Sequence, residues 1–148
     1  MITDLIRRLT GDPEPQMLAS EDSRLALAAL MVRLARADDR YTVIEKRRID
    51  LLLVERYGLG AERVRELRAE AERAEAAAPD TVGFTKLIKD AVPYEDRVGV
   101  IEALWSVAAA EGVNADERAF LRLVANLIGV TDQDSGLARQ RVLKDDSY

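Results

Sequence analysis

Residues 98–118 read VGVIEALWSVAAAEGVNADER, and residues 25–45 read LALAALMVRLARADDRYTVIE. These are two versions of one pattern. At an offset of 73, Leu25 meets Val98, Ala28 meets Ile101, Met31 meets Leu104, Val32 meets Trp105, and Asp38 meets Glu111. Past the turn the offset drops to 72, pairing Thr42 with Asn114, Glu45 with Glu117, Ile49 with Leu121 and Leu51 with Leu123. Tyr57-Gly58-Leu59 then matches Ile128-Gly129-Val130. Apolar residues three and four apart mark an amphipathic helix in each copy. An acidic turn follows, then a Thr or Asn with a glutamate three residues on, the signature of a capping box. Glycine closes each second helix. The repeat predicts two helical hairpins, residues 25–59 and 98–130, packed about a pseudo-two-fold axis so that both apolar faces are buried.

The rest of the chain fits around these hairpins. Ser20 reads as an N-cap for a helix to about Ala37. The segment from Ala61 to Ala78 is highly charged, with Val64, Leu67, Ala71 and Ala74 as a thin apolar seam, and predicts a helix covering the core's edge. Residues 80–92 and 94–110 follow as helices stopped or started by Pro93, the latter the most apolar and expected at the centre. A last helix runs from Thr131 or Ser135 to about Val142. At the front, Ile2, Leu5, Ile6 and Leu9 share one helical face, and Gly11-Asp12-Pro13-Glu14-Pro15 breaks it. The expected organisation is a helix and linker over 1–15, one all-α domain over 16–143, and a frayed tail over 144–148. That makes about seven to eight helices.

Composition narrows the chemistry. Ala, Leu, Arg, Glu and Lys supply 76 of 148 residues, which favours helix throughout. There is no histidine and no cysteine, so Cys/His zinc sites, thiol chemistry and Ser–His nucleophiles are excluded. A bound metal would have to be a hard cation on oxygen ligands. This argues against an enzyme. A net charge of -5 with no basic stripe argues against nucleic acid, and no apolar run reaches the ~20 residues of a membrane span.

Ala37-Asp38-Asp39-Arg40-Tyr41-Thr42-x-x-Glu45, and more clearly Ala109-Ala110-Glu111-Gly112-Val113-Asn114-Ala115-Asp116-Glu117-Arg118, followed by Leu121 and Leu127-Ile128-Gly129-Val130, resemble the duplicated Ala-Asp-Gly…Glu signature of TerB-like domains. The resemblance covers residues 20–143. Asp39 stands where that family often has Gly, Glu111 replaces the usual Asp, and the second turn is one residue shorter. The resemblance implies an all-helical, cytoplasmic, non-enzymatic domain of stress-response systems at the inner face of the membrane. It also implies a role for its acidic positions in holding a divalent cation.

Asp38, Glu45, Glu111 and Glu117 are therefore the candidate metal residues, with Ca²⁺ or Mg²⁺ as the fitting ions. Asp38 and Glu111 sit at helix C-termini, where the macrodipole disfavours an anion by roughly 0.3–1 kcal/mol each. The start of the next helix, Arg40 or a cation would offset that. Glu45 and Glu117 fall at the third position of their helices, and capping accounts for them as well as ligation does. Neither turn has EF-hand spacing, so any binding is expected to be weak. Helix capping is the leading reading of the four and a cation site the alternative. Trp105 reads as a core anchor, with the wall of a ligand cleft as its alternative. Lys46, Arg47 and Arg48 read as a solvated face. A protein partner or a second copy of the chain is expected to dock on the Ala- and Arg-rich helix at 61–78 or on the N-terminal helix, with peripheral membrane association through residues 2–9 left open.

Overall fold

Helix α1 begins at Pro15, and proline explains the position. Its fixed φ suits the first helical residue, and its missing N–H would have no partner there. The computed structural model describes residues 15–146, with side-chain surroundings from 21 to 144; the segment 2–9 and the 11–14 linker lie outside the described residues. Among the described residues seven helices follow one another: α1 (Pro15–Ala35), α2 (Val43–Tyr57), α3 (Ala61–Ala77), α4 (Val82–Ala91), α5 (Tyr94–Ala109), α6 (Ala115–Leu127) and α7 (Asp132–Asp146). Among the described residues there is no strand, and the domain is all-α. No helix among them is long and apolar enough to cross a membrane.

Two boundaries differ from the sequence reading. Ser20 lies inside α1 rather than capping it, because Pro15 starts the helix earlier. Helix α7 continues through Asp146 instead of ending near Val142. Thr131 opens it, its Oγ1 accepting the Asp134 amide at 3.1 Å, and Arg141 ties it to Glu102 on α5 at 2.6 Å. That tertiary anchor holds a stretch with little apolar pattern of its own.

The centre belongs to α1 as much as to α5. Every residue from Leu25 to Ala35 except Arg33 is buried, so α1 is enclosed on nearly all sides rather than along one stripe. It touches α2, α3, α4, α5 and α6, while α5 packs chiefly on α7 and also on α1 and α6. Val100, Ile101, Leu104 and Val107 of α5 join Leu27, Leu30, Met31 and Leu34 in one core. Burying each such side chain is worth about 1.5–3 kcal/mol. Val64, Leu67 and Ala71 are the buried seam of α3 against α1, as expected of an edge helix.

Arg33, which the periodicity puts on a polar face, is the clamp for that edge. Its Nε donates to Glu75 Oε2 at 3.0 Å, and its terminal nitrogens donate to the Glu75 and Ala78 carbonyls at 3.1 and 2.8 Å and to Thr81 Oγ1 at 3.3 Å. The Glu75 carbonyl also accepts the Ala78 amide that ends α3, and the Ala78 carbonyl lies just past the helix. Arg36 also bonds to Glu75. One side chain thus closes α3 and orders the turn into α4.

Candidate functional site where the two acidic turns meet

Both turns fold through the same local chemistry. In the first, Thr42 has extended backbone, its hydroxyl accepts the Glu45 amide at 3.1 Å, and Glu45 Oε1 accepts the Thr42 amide at 2.9 Å. In the second, Asn114 Oδ1 accepts the Glu117 amide at 2.8 Å and Glu117 Oε1 accepts the Asn114 amide at 3.1 Å. Each reciprocal pair satisfies two amide hydrogens that a helix start leaves open. The backbone repeats too. Gly112 takes the left-handed conformation at φ 89°, and Asp39, at the matched position, is forced into it at φ 62°.

Packing brings the two turns together. Asn114 Nδ2 donates to Asp38 Oδ2 at 3.1 Å, so the cap of the second copy holds the turn carboxylate of the first. Asp38 Oδ1 accepts the Arg40 amide at 3.1 Å, and the Arg40 guanidinium stands 3.7 Å from Oδ2. The unfavourable dipole at the end of α1 is therefore offset from two sides. Between Thr42 and Glu111, the matched pair, no such bond forms, and Glu111 is exposed.

Electrostatics follow from that meeting. Glu45 is 5% exposed and Glu117 3% exposed. Burial raises the Glu45 carboxyl above its ordinary range; its bonds to Thr42 lower it in part, and Glu111 and Asp38 raise it further. Glu117 is pushed up to about 7, first by burial and then by the charges of Glu45, Asp38 and Glu111, against the opposing pull of the Asn114 amide. Asp38 and Glu111 thus act on both buried carboxyls, and Glu45 acts on Glu117 as well. Yet among the described residues no group of three or more acidic side chains is gathered closely enough to hold a metal ion between them.

Duplicated turns with a shared acidic field are what the chain carries, and a family model described as tellurite resistance protein TerB matches residues 24–140, spanning both. The chain belongs to the TerB family. No curated protein and no solved structure matches it.

Beyond the junction, this TerB domain places other polar residues where sequence periodicity does not. Arg48, read as solvated, reaches α5 and donates to Ser106 Oγ at 3.0 Å. Lys46 lies 4.8 Å over the Tyr41 ring, and Arg47 of that run is exposed. Trp105 is buried at 7% exposure in the core, as expected of an anchor. It also forms a wall of a cavity of about 480 Å³ between α5, α6 and α7. None of the four acidic residues lines that cavity.

Proposed function

We propose that this TerB domain is a non-enzymatic helical scaffold of a cytoplasmic stress-response system of the tellurite-resistance type, whose acidic junction takes a hard divalent cation weakly. The observation that carries the reading is Glu117, a carboxyl pushed up to about 7 first by burial and then by the charges of Glu45, Asp38 and Glu111, with the Arg40 guanidinium standing beside Asp38. A cation placed there offsets a repulsion that the fold otherwise bears. Mg²⁺ suits the geometry better than Ca²⁺, because it keeps several waters and needs one or two carboxylates, whereas Ca²⁺ collects six to eight oxygens. The non-enzymatic reading draws on the chemistry at hand: no histidine, no cysteine, and none of the four carboxylates in the wall of the 480 Å³ cavity. Support for a protein partner comes from α2, where Val43, Ile44, Leu51 and Val54 are all substantially exposed along one helix.

A second reading has its own observation. Both capping boxes are complete, and each glutamate already serves a backbone amide. In that case the domain is purely structural and the junction is a pair of caps.

Thermal unfolding separates the two. Chelator-treated protein is melted with and without millimolar Mg²⁺, Ca²⁺ or Mn²⁺. Saturation at 100 times Kd stabilises by about 2.7 kcal/mol, which for a domain of this size raises Tm by roughly 5–10 °C. The rise vanishes in Glu45→Gln/Glu117→Gln, which keeps the caps but not the charges, and persists in Glu62→Gln on the exposed face of α3. No rise with any of the ions leaves capping as the whole role.

A further inference from the structure

We propose that the cavity between α5, α6 and α7 binds a small phosphomonoester. Its lining is unusual for a chain of net charge -5: Arg118 and Arg122, one turn apart on α6, and Arg139 on α7 face it, with Asp132 as the acidic residue among them. Among the described residues none of the three guanidiniums forms an ion pair; Arg139 instead lies 5.2 Å over the Trp105 ring. Asp90, Glu95, Glu102 and the other carboxylates nearby in sequence do not line the cavity. The pocket therefore carries a surplus of two positive charges. Three like charges have been gathered around a concave site without the partners that α1 and α3 give their own arginines.

Trp105 forms one wall of the cavity, with the Arg139 guanidinium over its ring.

The chemical class follows from charge and shape. A phosphomonoester carries close to two negative charges at neutral pH and three acceptor oxygens, matching the surplus and the three guanidiniums. Arginine's planar fork is suited to this group. The volume is that of a small-molecule site, larger than the phosphate itself needs, and Leu121, Ala125 and Gly136 leave an apolar floor for the organic part. Dicarboxylates have the same charge but the wrong number and arrangement of oxygens. The site shares no lining residue with the four junction carboxylates and does not depend on them.

Trp105 is the single tryptophan, so its fluorescence reports on the cavity directly. The full chain is titrated with ribose 5-phosphate, adenosine monophosphate, inorganic phosphate and succinate, with calorimetry on the same samples. Saturable binding of a phosphomonoester is expected, at least about tenfold tighter than inorganic phosphate or succinate, and weakening below about pH 6 as the ester dianion is protonated to the monoanion. Arg118→Gln/Arg122→Gln, at exposed positions, is expected to unfold cooperatively as before and to lose the binding; Arg65→Gln on α3 is expected to keep it. The proposal is overturned if no phosphomonoester binds up to about 10 mM, if succinate binds as well, or if the double variant binds unchanged.

Discussion

Asn114 does two jobs with one side chain: its oxygen caps α6 through the Glu117 amide, and its nitrogen holds Asp38 at 3.1 Å, 76 residues away in the chain. Local capping and the contact between the two copies are thereby joined in one residue. Asn114→Ala should cost about 1–2 kcal/mol, more than the roughly 1 kcal/mol expected of Thr42→Ala, whose hydroxyl caps but does not bridge. Asn114→Asp keeps the cap and sets a carboxylate against Asp38. Its stability should recover with added salt, whereas that of Asn114→Ala should not. Urea unfolding at two ionic strengths checks both.

The left-handed residue in each turn gives an opposite pair of outcomes. Asp39 adopts at φ 62° what Gly112 adopts at φ 89° without a side chain. Asp39→Gly should therefore stabilise by about 0.5–1 kcal/mol, and Gly112→Ala should destabilise by about 1–2 kcal/mol although no atom crowds the new methyl. Equal effects of the two changes on Tm would show that backbone strain is not what separates them.

Stability should fall as pH rises from about 4.5 to about 7. Folded Glu117 keeps its proton over that range while the unfolded chain has released it, so the native state binds more protons and loses stability as they leave. The gap corresponds to about 3 kcal/mol, with Glu45 adding in the same direction. Glu117→Gln retains the acceptor oxygen and should flatten this slope, becoming about 2 kcal/mol more stable than the parent at pH 8. Parallel pH profiles for parent and variant would contradict the assignment.

Arg33→Lys should behave as a severe change despite conserving charge. Lysine cannot serve Glu75, two carbonyls and Thr81 together, and about 2–3 kcal/mol should be lost, with faster amide exchange at the end of α3 and the start of α4. Arg73→Lys, exposed on α3, should be neutral.

What could be read from sequence follows the range of the interactions. Thr42 with Glu45 and Asn114 with Glu117 are contacts three residues apart, so the letters alone specify them. Gly58, left-handed at φ 65°, ends α2 for the same local reason. The buried seam of α3 also follows from periodicity. Arg33, Arg48 and the Asn114–Asp38 bond were not legible, because each depends on a helix far along the chain arriving at the right place. Nor was the arginine cavity: Arg118, Arg122 and Arg139 look like ordinary surface residues until α6 and α7 pack beside Trp105. Ser20 misled through a good local capping residue, overruled by a proline five positions earlier.

The account rests on two buried carboxyls, Glu45 and Glu117, sharing a field with Asp38 and Glu111 that a hard cation relieves. The most direct measurement is a carbon-13 NMR titration of the Glu117 carboxyl in chelator and then in about 10 mM Mg²⁺. The expected midpoint is about 7 without the ion and clearly lower with it. A midpoint at the ordinary value near 4.5 would contradict the shared field, and a raised midpoint that Mg²⁺ leaves unmoved would contradict the cation.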